Sequence, residues 1–279
     1  MSLSGTMRNQ ISADEKNQLL TVAHEMAAAA KEAILPYFRG SDLDLENKDA
    51  ADFDPVTAAD KAAEQAMRDV LALKRPQDGI WGEEFGRSSG VSGLSWVLDP
   101  IDGTRGFISG TPTWGVLIAL SDQSGPLLGI IDQPYIGERF VGGFGHAYYD
   151  GPLGQRNLAA RPAHRLDQAT LFSTYPEIGT KVDYQGFRAV ADRAKLVRYG
   201  VDCYAYALLA AGQIDLVIEA GLNAYDIQAP IAVVEAAGGL VTDWTGGSAH
   251  LGGQVVACSS QELLSEVLPL LGPYAVAVK

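Results

Sequence analysis

The 279-residue chain holds only two cysteines and four histidines, and that scarcity excludes several designs at once. Cys203 and Cys258 fit no zinc spacing, and two thiols are too few for a disulfide scaffold. The four histidines (His24, His146, His164 and His250) are scattered with no pair at i, i+4, which argues against a zinc hydrolase. No apolar run approaches the roughly 18 residues of a membrane span. Neither a G-x-S-x-G elbow nor a G-x-x-x-x-G-K-[ST] loop is present. Basic residues are also short: 21 against 34 acidic ones leave a net charge of −13. That balance argues against gripping nucleic acid or an anionic membrane by bulk charge. It does not exclude a small anionic substrate, because a metal ion can reverse the sign of a local site. The N-terminus lacks an apolar signal core, so the cytoplasm is the expected compartment. Residues 1–12 read as a disordered or vector-derived leader.

What is present is a folding chain. Its 47% hydrophobic content is ordinary, and a chain of this length can bury roughly 70–75% of its unfolded surface without disulfide or zinc. Apolar positions from Leu19 to Tyr37 recur at three and four residues, an amphipathic helix stopped by Gly40. The acidic stretch Ser41 to Asp54 reads as a loop or short exposed strand. Thr57 to Leu73 reads as a second helix, with Thr57 as N-cap and Asp60 three residues on, as in a capping box. Short strands follow (96–98, 114–120, 126–132, 139–142, 146–149), separated by Gly and Pro as in an antiparallel meander. Beyond Ala169 strands (171–174, 196–199, 214–219, 240–244, 255–258) alternate with helices (184–193, 203–211, 227–237, 261–271). This order predicts a layered α+β or α/β architecture. The expected organisation is an N-terminal half, 13–160, and a C-terminal half, 161–279, forming one compact catalytic unit.

Polar chemistry concentrates in three acidic segments: Trp81–Gly86 with Glu83 and Glu84, Trp96–Thr104 with Asp99 and Asp102, and Glu219–Asp226. Asp99 and Asp102 sit just past an apolar strand, where Pro100 is expected to end the ladder. Two carboxylates and the Ile101 carbonyl can converge there on one hard cation. Gly103-Thr104 would open a helix or turn whose N–H groups form an anion site. Adjacent cation and anion sites suit phosphate-ester hydrolysis. Each segment also has a plainer reading. Asp99-Pro-Ile-Asp102-Gly is an ordinary turn sequence, Glu83 alone a solvated loop charge, and Asp226 alone the N-cap of a helix starting at Ile227.

Taken together, Gly-Glu83-Glu, Trp96-Val-Leu-Asp99-Pro-Ile-Asp102-Gly-Thr104, and Tyr225-Asp226-Ile-Gln-Ala-Pro with Glu235-Ala-Ala-Gly-Gly and Val241-Thr-Asp243 resemble the inositol monophosphatase superfamily. The likeness runs from about residue 15 to the C-terminus. It implies an αβαβα layered sandwich, a homodimer, and a lithium-sensitive phosphatase with two or three Mg²⁺ per site. By motif position the metal ligands would be Glu83, Asp99, Asp102, Asp226 and the Ile101 carbonyl. Asp60 would help hold the outermost ion, whatever its local capping role. Thr104, locally an N-cap hydroxyl, would orient the nucleophilic water with Glu83, and Gly103 and Thr104 would bind phosphate. Hydrolysis would proceed by direct in-line attack of a metal-activated water, without a phosphoenzyme.

Within that family, Arg105 after Asp-Gly-Thr104, the run Phe107–Gly115, and Gly200-Val-Asp202-Cys-Tyr-Ala-Tyr206 look like the histidinol-phosphate phosphatase branch. Histidinol phosphate carries an ammonium and an imidazole, which Asp202 and Glu219 could pair, with Arg105 as a further substrate contact. The plainer reading of Asp202 is the cap of a helix starting at Cys203. The Arg105-Gly-Phe sequence also occurs among 3′(2′),5′-bisphosphate nucleotidases. The alternatives are therefore an inositol-phosphate or bisphosphate-nucleotide phosphatase, or a non-catalytic binding protein on the same scaffold.

Overall fold

A computed structural model describes residues 11–40, 46–47, 55–162 and 165–276. Residues 1–10 of the expected leader and most of the acidic stretch 41–54 lie outside the described residues, whereas Ser12, placed in that leader, caps the first helix.

The chain opens with α1 (Ala13–Ile34), capped by Ser12, whose side chain accepts the Glu15 N–H. Leu19, Val22, Ala23, Met26, Ala27, Ala30 and Ile34 make its buried stripe. The helix starts earlier than periodicity suggests because polar first-turn residues carry no hydrophobic signal. It closes before Tyr37, since Pro36 has no N–H to continue it. After β1 (Glu46–Asn47) and β2 (Pro55–Val56) comes α2 (Ala58–Lys74), with the capping box formed by Thr57 and Asp60.

Eight strands form the first sheet: β3 (Gly79–Gly82), β4 (Gly86–Ser88), β5 (Ser95–Asp102), β6 (Gly115–Asp122), β7 (Gly125–Gln133), β8 (Glu138–Gly143), β9 (His146–Asp150) and β10 (Arg156–Asn157). The run β5 to β10 is the antiparallel meander, and β3 joins its edge parallel to β5. A short helix, α3 (Thr104–Ile108), follows β5.

The second sheet has the order β12-β11-β13-β15-β14. Its strands are β11 (Thr170–Ser173), β12 (Leu196–Tyr199), β13 (Leu216–Leu222), β14 (Leu240–Asp243) and β15 (Gly253–Cys258). Between them run α4 (Lys181–Ala191), α5 (Tyr204–Ala210), α6 (Ala224–Ala236) and, last, α7 (Gln261–Leu271).

Period-two alternation builds the layers. Val116, Ile118 and Leu120 face α1 and α2, whereas Leu117 and Ala119 of the same strand face α5 and α6. In the second sheet Val217, Val255 and Ala257 face that same central helix pair, while Leu216, Ile218, Val256 and Cys258 face α4 and α7. The result is helices, sheet, helices, sheet, helices: the αβαβα sandwich. The central helix α6 is apolar on nearly every side, with nine of its residues buried, because it packs against both sheets. Both cysteines are free and buried, and no described helix is long and apolar enough to cross a membrane.

Candidate active site

Asp99 and Asp102 reach one cavity because of a defect in β5. Residues three apart on a regular strand point to opposite faces. Here Asp99 pairs with Leu117 and Asp102 with Gly115, so β5 carries one residue more than β6 between those pairs. This bulge turns both carboxylates the same way. Pro100 sits inside it, and the strand continues to Asp102 instead of ending at Leu98. Asp99 Oδ1 accepts the Ile101 N–H at 3.1 Å, which holds the bulge in shape. The Thr104 hydroxyl donates to the Ile101 carbonyl at 3.1 Å. Gly103, at φ 87°, is the residue before α3, so Thr104 is the first helical residue and not its N-cap. A side chain at Gly103 would be strained by that φ, and a Cβ would come within 2.8 Å of the Asp202 carboxyl.

Asp226 arrives from the other half of the chain. The helix begins three residues earlier than its apolar pattern suggests, with Asn223 at its N-cap. Asp226 is therefore the third helical residue, and its Oδ2 accepts the Asn223 N–H at 2.7 Å. Pro230 accordingly sits in the helix interior, past the first turn. In this position Asp226 meets the β5 pair: oxygens of Asp99, Asp102 and Asp226 all lie within 4.8 Å of one another. Glu83, on the turn after β3, lines the same cleft and hydrogen-bonds Asp99. Its N–H donates to Leu98 O at 3.1 Å, so the parallel pairing of β3 with β5 registers Glu83 against Asp99.

The cleft is about 320 Å³. Among the described residues, its walls carry six carboxylates (Glu83, Asp99, Asp102, Asp202, Glu219 and Asp226) and one basic side chain, Arg105. A larger cavity of about 570 Å³, beside Lys16, Phe144, His146 and Glu235, gathers no such cluster. Burial, and then repulsion from Glu83, Asp102 and Asp226, drives the Asp99 carboxyl well above the ordinary carboxylate range. Asp102 and Asp226 rise for the same reasons, burial first, although hydrogen bonds from Cys203 and Asn223 respectively oppose the rise. Such a set of oxygen donors suits a hard divalent cation, whose charge would relieve the repulsion. The Ile101 carbonyl lines the cleft as well.

Asp202 does not cap α5. It has φ 45°, the helix begins at Tyr204 with Cys203 before it, and that junction has no side-chain cap. The Cys203 N–H donates instead to Asp102 Oδ2 at 2.6 Å, so Asp102 ties the start of α5 to the cluster. The Asp202 side chain lies along the cleft wall beside Gly103. Glu219, buried on the cleft wall, accepts the N–H and hydroxyl of Thr174 at 2.7 and 2.9 Å, yet burial still pushes it up to about 8. A second bulge, between Glu219 and Leu222 against β15, shapes this wall. Arg105 lies 5.2 Å from the centre of the Tyr175 ring. Asp60 is buried under Thr57, whose N–H and hydroxyl it accepts at 2.8 and 2.5 Å, and it is not among the cleft-lining residues. Sequence reasoning missed Thr174 and Tyr175, which follow β11 with no motif around them. It also missed Glu64, whose spacing of four from Asp60 puts both on one face of α2 and could have drawn attention.

Comparison with known proteins agrees with this geometry. The model of the Inositol monophosphatase family matches residues 15–272. A bifunctional phosphatase of Arabidopsis thaliana, IMPL2, is 41% identical over 247 residues, covering 88% of this chain and 70% of its own length. A histidinol-phosphatase of Mycobacterium tuberculosis is 34% identical over 255 residues, covering 90% and 97%. The structure of an inositol monophosphatase from Zymomonas mobilis superposes with a TM-score of 0.81 at 38% identity, covering 94% of this chain and 99% of that one. A match that spans both halves and includes every motif around the cleft leaves one assignment: this chain belongs to the inositol monophosphatase family and is a metal-dependent phosphomonoesterase.

Proposed function

We propose that the substrate is L-histidinol phosphate, cleaved to L-histidinol and inorganic phosphate, with Mg²⁺ as the ion. The observation that carries this reading is the freedom of Asp202 from a capping role. A half-buried carboxylate that does not cap α5, on a cleft wall already rich in acid, suits a substrate that brings its own positive charge. Glu219 stands as a second acceptor for an ammonium or imidazole N–H, and similarity to the M. tuberculosis histidinol-phosphatase supports the same choice. An inositol phosphate presents only hydroxyls beyond its phosphate and gives Asp202 no cation to pair.

Asp99, Asp102, Asp226, Glu83 and the Ile101 carbonyl would hold two or three Mg²⁺, with Asp60 supporting the outermost. The ions would supply Lewis acidity to the phosphate and lower the pKa of water. The chain's own groups do the rest. Thr104, already fixed to Ile101 O, and Glu83 orient the attacking water, and Glu83 accepts its proton. Backbone N–H groups of Gly103 and Thr104 receive phosphate oxygens. Arg105, beside Tyr175, closes the side of the cleft against the leaving group. Because Asp226 comes from beyond residue 161 and Asp99 from before residue 160, the two halves act as one catalytic unit. The enzyme is further proposed to be cytoplasmic and homodimeric, the latter checked by sedimentation over a range of concentrations.

The deciding experiment is phosphate release by the purified protein with Mg²⁺ from histidinol phosphate, inositol 1-phosphate and a 3′,5′-bisphosphate nucleotide. Higher kcat/KM on either of the latter two overturns the choice. Asp202→Asn removes the charge while tolerating the left-handed φ. It should lower kcat/KM for histidinol phosphate by about 10-fold or more, the scale of a lost charge-assisted bond. Turnover of inositol phosphate should be nearly unaffected; equal loss on both would remove Asp202 from substrate recognition.

A further inference from the structure

Glu64 lies on α2 one turn beyond Asp60, is completely buried, and does not line the cleft. Its carboxylate grips the turn that carries Glu83. Oε2 accepts the Glu84 N–H at 2.6 Å, and Oε1 accepts the Phe85 N–H at 3.2 Å and Arg68 Nε at 2.8 Å. Arg68 then donates to Gly86 O at 2.6 Å and Ser88 Oγ at 3.1 Å, fastening the far end of the same turn. On the near end the carboxylate presses so closely on Gly82 that a Cβ there would lie 1.9 Å from Oε1. Glu83 is therefore flanked on both sides by backbone that Glu64 holds, while its own N–H is tied to Leu98 O.

A buried ion pair is a poor source of stability, because desolvation offsets most of the Coulombic gain. What this one supplies is direction. A group that only accepts, meeting two consecutive N–H donors, fixes the orientation of the peptide planes after Glu83 and with them the exit of its side chain. We propose that Glu64, braced by Arg68, is a positioning residue that aims Glu83 at the Asp99–Asp102–Asp226 cluster and so sets the affinity of the site for a divalent cation. The inference rests on the metal-binding reading of the cluster but is independent of the substrate.

The test is Mn²⁺ binding to the metal-stripped full-length protein, followed by titration calorimetry. Glu64→Gln places an amide N–H₂ against a backbone or Arg68 donor. It should weaken Mn²⁺ binding by about 10- to 100-fold, the usual effect of losing an outer partner of a metal ligand. Arg68→Gln, a partly exposed site, should weaken it in the same direction and serves if Glu64→Gln does not fold. Asp78→Asn disturbs another buried carboxylate, the one held by Arg75 and Trp96 away from the cleft. It should lower the melting temperature and leave Mn²⁺ affinity unchanged. Wild-type affinity in the Glu64 variant, or in the Arg68 variant where that one is used, overturns the proposal. So does an equal loss in Asp78→Asn, which would make weak binding a by-product of instability. Asp99→Asn separates the two readings: if it retains Mn²⁺, the metal reading itself fails.

Discussion

Asp102 carries three duties with one carboxylate, which makes it the most constrained residue of the cleft. It meets Asp99 and Asp226, it accepts the Cys203 N–H, and it helps raise the carboxyl of Asp202. Asp99 is simpler: its carboxylate accepts the Ile101 N–H, and burial first, then repulsion, keeps its proton affinity high. Asp99→Asn should therefore fold, since the amide oxygen can still accept from Ile101. It should nevertheless lose more than about 100-fold in kcat/KM, because a lost ligand costs more than a lost outer partner. Activity within a few-fold of wild type would support the alternative of a binding protein on a phosphatase scaffold. Around Glu219 the same burial acts on a group with good hydrogen bonds, and burial still outweighs them.

Helix starts do much of the placing at the level of elements. The capping box of α2 buries Thr57 and Asp60 together, so the cap orders the first turn, and Glu64 projects from the next one. Thr57→Ala removes a hydroxyl that accepts the Ala59 N–H and donates to Asp60. The expected cost is about 1 kcal/mol, which for a chain of this size lowers the melting temperature by roughly 2–4 °C. Thermal unfolding followed by circular dichroism checks it; an unchanged midpoint would show that Asp60 holds the turn alone. The bulges of β5 and β13 are the strand counterparts of these caps. Each adds one residue to a cleft-lining strand, and the one in β5 re-aims Asp102, which regular pleating would turn away from Asp99.

For the molecule as a whole, the cluster is a stability cost that the ligand offsets. Asp99, Asp102, Asp226 and Glu219 hold protons more tightly folded than unfolded. A carboxylate raised on folding favours the folded state at low pH and loses that contribution as pH rises through its folded value. The metal-free protein should therefore melt at progressively lower temperature as pH is raised from 6 to 8, the range that spans the value of about 8 at Glu219. Mg²⁺ at 100 times its dissociation constant adds about 2.7 kcal/mol and should flatten that slope. Scanning calorimetry at both pH values, with and without Mg²⁺, reads both effects. A metal-free protein that gains stability toward pH 8 would mean that the cluster is not strained by its own charge.

Much of this was legible in the amino-acid order. The meander, the later β–α alternation and the Thr57–Asp60 box are local patterns, and local backbone preferences impose them wherever the chain goes. The acidic motifs were legible too, because Asp and Glu stand out against apolar strands. What spacing could not decide was which plain reading would fail. Asp226 looks like a helix cap until Asn223 takes that role, and Asp202 looks like one until Asp102 reaches across to accept the Cys203 N–H. Both outcomes depend on partners far away in the chain. Likewise the convergence of Asp99, Asp102 and Asp226 requires a bulge and a helix packed between two sheets. Glu64 matters only because α2 lies against the turn after β3. Periodicity records which way a side chain faces within its own element; only the packing of elements puts two charges within a few ångströms.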